Sequence, residues 1–161
     1  MLAGRTTNDD ATTLGLNIFR AANDTAARDI VVNDPVMQKR VMRAEWYPFG
    51  PPVVKKINLD DRPQWLWIVR PTRPEMLSEA PTDDEIRHAA AHGDYLQRLI
   101  DDGTAVLFGR TQNTDYTSMG IIIMQAKSEA EARAIIEQDP AVQNRIFRAE
   151  LYPYRIALFR A

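Results

Sequence analysis

The residues best suited to acid–base chemistry are the two histidines of the chain, His88 and His92, which lie on one predicted helix. At about 100° per residue, His92 falls on the same side as Leu96 and Leu99, whereas Asp94 points the other way. Imidazole is the side chain that changes its charge near neutral pH, so an inward-facing histidine is a candidate general acid or base. A buried, hydrogen-bonded histidine with a structural role is the alternative.

The spacing of the two histidines also permits a shared metal ion, because residues four apart lie on one face of a helix. The pattern H-x-x-x-H is weak by itself, and no third ligand is marked by its spacing. The chain contains no cysteine, which excludes thiolate ligands, thiolate nucleophiles and disulfides. Nucleophilic triads, phosphate-binding loops and dinucleotide fingerprints are also missing from the sequence. We therefore expect neither a metal nor a cofactor.

Asp139 precedes Pro140, and this pair has two interpretations. An Asp before Pro can cap the following turn, because its carboxylate accepts a hydrogen bond from a free amide and Pro fits the first helical position. Asp34-Pro35 occurs in a part of the chain without a histidine, which favours the cap. A capping carboxylate can still orient an imidazole, so a pair between His92 and Asp139 remains open.

Arginines recur at matching positions in two parts of the chain and could bind an anionic oxygen of a substrate. Arg110 corresponds to Arg5, and Arg145 corresponds to Arg40. The alternative is that these arginines are solvated or paired with recurring glutamates such as Glu150.

These correspondences come from an internal repeat. Residues 1–50 align with residues 106–155 without a gap, and about 22 of the 50 paired residues are identical. A single repeat unit often cannot close its own core. The later copy is preceded by a segment, from Trp65 to Ala105, that the earlier copy lacks. The domain organisation that we predict is a partial unit at 1–50, a linker at 51–64 and a complete unit at 65–161.

The partial unit is predicted to have the order β-β-α-β. Its elements are a strand through Leu2, a strand at 14–21, a helix at 24–33 and a returning strand at 43–49. Met1 pairs with a position inside a strand of the complete unit, so a start codon placed too late is one explanation of the missing front half. Loss of half of a duplicated unit is the other explanation.

The complete unit is predicted to have the order β-α-β-β-α-β, the ferredoxin-like arrangement. Capping boxes begin its two helices, at Thr82 with Glu85 and at Ser128 with Glu131. Strands of this unit are predicted at 65–70, 119–126 and 147–159, and its two helices are predicted to end near 102 and 138. A short strand is predicted at 53–57, in the linker before the unit. Aromatic residues expected on strands, at an interface between sheets, are Trp46, Tyr47, Trp65, Trp67 and Tyr152. A sheet with helices on one side needs cover on its other face, and a second sheet from the partial unit or another subunit would supply it.

Composition and charge exclude several classes of protein. A net charge near −2 and a pI near 5.7 give no long-range attraction to nucleic acids or anionic membranes. The apolar runs are far shorter than the ~20 residues that a membrane span requires. The N-terminus has no basic region followed by an apolar core, so a secretory signal is not expected. We therefore expect a cytoplasmic protein.

Residues 65–161 resemble the YCII-related (YciI-like) domain family, and residues 1–50 resemble the second half of that family. The features that match, in the family's order, are His92-Gly93-Asp94-Tyr95-Leu96, Gly103, Val106 to Gly109, Gly120 to Ala126, Asp139-Pro140 and Tyr152-Pro153-Tyr154. Ala141 departs from the pattern, because the family usually has an aromatic residue after the Asp-Pro pair. The wall of the pocket is therefore expected to differ.

The resemblance implies an α+β fold in which ferredoxin-like units pack sheet to sheet as a dimeric α+β barrel, either in a homodimer or as a pseudo-dimer within one chain. It also implies a pocket that contains His92 and Asp139 as catalytic residues, and we take Arg110, Arg145 and Tyr95 as candidates for substrate binding. A characterised branch of the family eliminates chloride from a chlorinated hydroxyquinol. Muconolactone isomerases and cofactor-free monooxygenases share the barrel fold.

The function expected from these observations is that of a cofactor-free lyase or isomerase acting on a small cyclic or halogenated substrate. The alternative is a non-catalytic module that binds a small molecule or takes part in assembly. Neither a nucleic acid nor a membrane is expected as a partner.

Overall fold

Seven antiparallel strands form one sheet that curls into a half-barrel in the computed structural model, which describes residues 1–54 and 60–160. The strands are β1 (Leu2–Thr6), β2 (Gly15–Ile18), β3 (Val53–Val54), β4 (Gln64–Pro71), β5 (Ala105–Arg110), β6 (Gly120–Gln125) and β7 (Phe147–Phe159). Their order across the sheet is β2-β1-β7-β4-β6-β5-β3. The helices are α1 (Asp24–Val32), α2 (Pro35–Gln38), α3 (Asp83–Asp101), α4 (Glu129–Glu137) and α5 (Pro140–Gln143), and Pro74–Leu77 forms a short 3-10 helix.

Residues 64–159 contain the predicted order of elements, β4-α3-β5-β6-α4-β7, with the short helix α5 before the last strand. The bounds of these strands and helices agree with the predicted ones to within a residue or two. Helix α3 ends where expected, because Gly103 follows its C-cap with a φ of 81°, a left-handed conformation that glycine adopts without strain. The α+β class is confirmed.

Strand β4 lies in the middle of the sheet because its sequence is apolar on both faces. Trp67 pairs with Ile122 of β6 on one side and with Leu151 of β7 on the other. Its indole packs with the residues of α3 and α4, whereas the neighbouring Leu66 and Ile68 face the opposite side of the sheet. The strand therefore joins two apolar cores.

The second face of the sheet is covered from within the chain. Leu2 of β1 is buried there with Leu66, Ile123 and Tyr154, and Leu16 of β2 packs against them. Strand β1 comes so close to β7 that a Cβ atom at Gly4 would lie 2.6 Å from the carbonyl oxygen of Arg155 and would overlap the ring of Tyr154. Since β1 pairs with β7 and β2 pairs with β1, both strands extend the sheet beyond β7.

The prediction of a returning strand at 43–49 is wrong. This segment is coil except for an isolated bridge between Phe49 and Thr111, and Trp46 is 50% exposed. The corresponding strand β7 forms because it pairs with β4 and β1, whereas the segment at 43–48 is paired with no other strand of the described chain. The prediction that Trp46 and Tyr47 lie on strands fails for the same reason, since strand hydrogen bonds need a neighbour.

Local geometry is nevertheless alike at positions 105 apart in the sequence. Asp34 and Asp139 both cap short helices through side-chain hydrogen bonds, and Arg40 and Arg145 both have positive φ angles, of 54° and 57°. The environments differ, because no residue of α1, which is fully described, is buried, whereas α4 buries Ala132 and Ile136. The domain boundaries at 50 and 64 stay a prediction.

Two smaller expectations are also resolved. At the start of α4, the Ser128 hydroxyl accepts a hydrogen bond from the Glu131 amide, as predicted. The Glu131 carboxylate, however, accepts a hydrogen bond from the backbone amide of Lys127, whereas a capping box requires the amide of Ser128. Of the short strand predicted at 53–57, Val53–Val54 is confirmed and the rest lies outside the described residues. No helix within the described part of the chain is long and apolar enough to cross a membrane.

Candidate active site

Helix α3 carries His92 and has a firmly defined beginning. The Thr82 hydroxyl accepts a hydrogen bond from the Glu85 amide at 3.2 Å, and the Glu85 carboxylate accepts one from the Thr82 amide at 2.7 Å. The Arg73 guanidinium donates two further hydrogen bonds to Glu85. These bonds, from Arg73 first and then from Thr82, hold the pKa of Glu85 at about 2, below its ordinary value. The start of α3 is thereby tied to the loop before the 3-10 helix.

His92 and Asp139 are joined by a hydrogen bond between α3 and the N-terminus of α5. Imidazole Nδ1 lies 2.5 Å from Oδ2 of Asp139, and the other carboxylate oxygen, Oδ1, accepts a hydrogen bond from the Ala141 amide at 2.8 Å. The Asp139 side chain is fully buried, and that of His92 is 12% exposed. Asp139 therefore caps α5 and contacts the imidazole at the same time, one oxygen for each, so the two interpretations of the sequence do not exclude each other.

The imidazole ring of His92 is also held by aromatic neighbours. The ring of Phe147 lies 5.1 Å away, between centroids, at 83°, and that of Trp67 lies 6.1 Å away at 87°. Both arrangements are edge-to-face, the favourable geometry for aromatic pairs. One hydrogen bond and two aromatic contacts thus hold the ring, and within the described chain only its Nδ1 atom has a hydrogen-bond partner.

His92 borders a cavity of about 620 Å³ between the helices and the end of the sheet. Most of the wall is apolar, and the polar contributions besides His92 come from Arg110, Gln112 and Ser118. Because Nδ1 is turned toward Asp139, the Nε2 end of the ring is the one left for the cavity. The cavity has the volume and apolar lining of a small-molecule site.

Two of the three predicted substrate-binding residues lie elsewhere. Arg110 borders the cavity, but Arg145 is an exposed residue of the turn after α5 and is not part of the wall. Tyr95 is buried between α3 and α4, where its hydroxyl donates a hydrogen bond to the carbonyl oxygen of Ile135 at 2.7 Å. Burial, with the negative charge of Asp139, raises the pKa of Tyr95 to about 12. Tyr95 therefore packs α3 against α4 instead of binding a substrate. Glu150 forms an ion pair with Arg70, which is not one of the arginines that recur in the repeat.

Part of the cavity wall was not expected from the sequence. Pro51 and Val53 reach the cavity from the predicted linker, Gly50 reaches it from the end of the partial unit, and Phe147 enters from the start of β7. The predicted short strand at 53–57 was the available signal, because a strand must pair with an edge of the sheet. Nothing in its sequence identified β5 as that edge.

A metal site is not assembled around the two histidines. Across residues 1–54 and 60–160, no three His, Asp or Glu side chains come close enough together to hold a metal ion. His88 is half-buried, with its Nε2 3.3 Å from the Arg87 guanidinium. The arrangement at His92 is therefore that of an imidazole oriented by a carboxylate beside an apolar cavity.

A family model for the YCII-related domain matches residues 65–154, which include His92, Asp139 and most of the cavity wall. The match covers more than half of the chain, and the chain belongs to the YCII-related domain family. Comparisons with curated proteins and with solved structures returned no match.

Proposed function

We propose that the chain is a cofactor-free lyase or isomerase that acts on a small cyclic or halogenated compound. The hydrogen bond between His92 Nδ1 and Asp139 Oδ2, beside an apolar cavity, is the observation that carries this proposal. In this proposal His92 is the catalytic residue, and Asp139 is a positioning residue that acts through it.

The tautomer of His92 follows from its partner. A buried carboxylate accepts hydrogen bonds, so Nδ1 carries the proton of the neutral ring and Nε2 keeps a lone pair. A halogenated hydroxyquinol reacts through its keto tautomer, in which the carbon that bears the halogen is sp³. Nε2 then takes a proton from a ring hydroxyl group, the released electron pair moves through the ring to form the new double bond, and the halide leaves with its bonding pair, which gives a hydroxyquinone. The imidazolium then passes its proton to water. In an isomerisation, it returns the proton to a different carbon.

The cavity suits such a substrate in size and polarity. Its apolar walls, among them Leu96, Phe108 and Ile122, match the faces of a ring compound. Arg110 supplies a positive charge at the rim for a phenolate or carboxylate oxygen. Proton transfer by one positioned group is typically worth about 10²–10⁴ in rate.

A substrate screen tests this function. We would measure chloride release from halogenated phenols and hydroxyquinols, and ring opening or isomerisation of lactones by absorbance. On the substrate that reacts, His92→Gln is expected to lower kcat by about 10²–10⁴, whereas His88→Gln, on the same helix but away from the cavity, is expected to retain activity. Full activity of His92→Gln would refute the role of His92.

For the assembly of the chain, we infer that β1 and β2 take the place of the second sheet expected in a dimeric α+β barrel, which makes the chain an intrachain pseudo-dimer. The cluster that buries Leu2 against Leu66 and Tyr154 supports this arrangement. Light scattering is then expected to give the mass of one chain, 18.3 kDa. A stable homodimer would contradict it.

A second candidate function, a non-catalytic module for binding or assembly, is favoured by apolar side chains exposed on the N-terminal segment. Val41 is 70% exposed, and Ile30, Met42 and Trp46 are also exposed. Exposed apolar side chains that form one patch mark contacts with other proteins. If this function holds, light scattering should report an assembly that Trp46→Glu disrupts. A monomer at the concentrations used for activity would disfavour it.

A further inference from the structure

The segment from Phe49 to Val54, here called the connector, is bound to the end of β5 at several points. The Gly50 amide donates a hydrogen bond to the Arg110 carbonyl at 2.9 Å, and the Gln112 amide donates one to the Pro48 carbonyl at 2.8 Å. Phe49 forms a bridge with Thr111. The connector is therefore a fixed part of the sheet edge.

Strand β3 continues this attachment and directs its two side chains to opposite faces. Val53 pairs with Phe108 and Val54 with Leu107, both on β5. Val53 borders the cavity, whereas Val54 packs into the apolar cluster on the second face of the sheet. Since side chains alternate along a strand, this division is a consequence of the pairing register.

The close approach of the connector depends on a glycine of β5. A Cβ atom at Gly109 would lie 2.7 Å from a ring carbon of Phe49 and 3.4 Å from the Cα atom of Pro52. With no side chain at Gly109, the connector lies directly on β5, and Gly50, Pro51 and Val53 reach the cavity from this edge.

We propose that the connector is a selectivity wall of the His92 cavity, and that the side chain of Val53 limits the width of the ligand. This inference rests on the proposed use of the cavity for a small ring compound. Val53 is 37% exposed, so its side chain stands at the edge of the cavity, between the bound ligand and solvent. Adding or removing carbon atoms at this position changes the width available without touching His92, Asp139 or Arg110.

The test uses two halogenated aryl alcohols of different width, 4-chlorophenol with one ring and 6-chloro-2-naphthol with two fused rings. We would measure the dissociation constant of each by calorimetry, for the full chain and for three variants. Val53→Ala should shift the ratio of the two constants about tenfold in favour of the two-ring probe, the scale at which pockets discriminate small apolar groups. Val53→Leu should shift it in the opposite direction.

Val54→Ala is the matched control, because it makes the same chemical change one residue along the strand, on the face away from the cavity. It should leave the ratio within about twofold. Loss of β3 would weaken the binding of both probes, but it would not shift the ratio of their dissociation constants in opposite directions in the two Val53 variants. If one of these variants does not fold, the direction of the shift in the other still tests the inference. An unchanged ratio, or a shift of the same sign in both variants, overturns the inference.

Failure of this inference can be told apart from failure of the proposed function. The ratio is an equilibrium quantity, so a chain that turns over no substrate can still respond to Val53. Conversely, a chain whose activity depends on His92 but whose ratio ignores Val53 has the proposed chemistry without this wall. If neither probe binds the unmodified chain, the wall is refuted, since it can select only among ligands that enter.

Discussion

Asp139→Asn should separate the two tasks of this carboxylate, because an amide keeps only one of its two oxygens. In the structure, Oδ1 accepts the hydrogen bond from the Ala141 amide and Oδ2 contacts His92 Nδ1. If the Asn oxygen continues to cap α5, its NH₂ group faces the imidazole. A donor at this place requires an acceptor, so Nδ1 of His92 must lose its proton and Nε2 must carry it.

The expected loss of activity is large because the variant reverses the tautomer of the proposed base. With a proton on Nε2, the neutral ring has no lone pair for the cavity. In serine proteases the same exchange of aspartate for asparagine lowers kcat by about 10⁴, and we expect a loss of about 10³–10⁴ here. The helix cap is preserved, so the free energy of unfolding should change little.

Asp139→Ala should instead destabilise the protein, since it removes the hydrogen-bond acceptors of both the Ala141 amide and His92 Nδ1. Loss of an N-cap costs about 1 kcal/mol, and leaving the Nδ1–H group of His92 without an acceptor costs about 1–3 kcal/mol more. The sequence supplies a matched control in Asp34, whose carboxylate caps α2 through the Val36 amide at 2.8 Å and contacts no histidine. Asp34→Ala should show the cost of the cap alone.

Nitrogen-15 NMR of the imidazole rings measures the tautomer directly, without a known substrate. At a pH where the ring is neutral, His92 should give a protonated Nδ1 in the parent chain and a protonated Nε2 in Asp139→Asn, while His88 stays unchanged. Urea denaturation then gives the two free energies for the alanine variants. If the His92 spectrum is the same with and without Asp139→Asn, and Asp139→Ala costs no more than Asp34→Ala, the pair does not control the imidazole and the proposed mechanism is refuted.

Three further predictions concern the framework around this site. Glu85→Gln should lower stability near neutral pH, because the depressed pKa of Glu85, about 2, means that its ionised form, bound to Arg73, stabilises the fold above the ordinary carboxyl pKa. The difference from the parent chain should shrink as the pH falls toward 2, and urea titrations at several pH values check this; a constant difference would refute it. Gly4→Ala should cost about 1–3 kcal/mol because its methyl group would overlap β7, whereas Gly15→Ala, whose nearest neighbour would be 3.8 Å away, should be tolerated; equal melting temperatures of the two variants would contradict the packing of β1. Gly109→Ala should speed hydrogen exchange of the connector amides, since its methyl group would push the connector away, and unchanged protection would place the connector elsewhere.

Much of the local structure follows from short-range signals in the sequence. The box of Thr82 and Glu85 begins α3 as predicted, and Asp139 caps α5. The inward position of His92 follows from the helical period of its neighbours. Hydrogen bonds of a helix join residues four apart, so their formation depends on nearby side chains.

The errors fall where distant partners decide the outcome. The segment at 43–48 has the same strand-forming pattern as the start of β7, yet within the described residues it pairs with no strand and stays coil. The expectation that Trp67 lies between two sheets failed because its face of β4 is covered by helices. Alternation in the sequence indicates that a strand has two faces, but not which layer covers each of them.

The sequence by itself determined the α+β class, the YCII-related pattern of residues 65–154, the helix caps and the choice of His92 and Asp139 as candidates. Only the tertiary structure decided that these two side chains meet, 47 residues apart, and that the connector closes the edge of their cavity. The physical reason is range, because caps and helical periods are set by neighbours along the chain. A hydrogen bond between α3 and α5, or a strand added to β5, exists only when the packed core brings distant segments together.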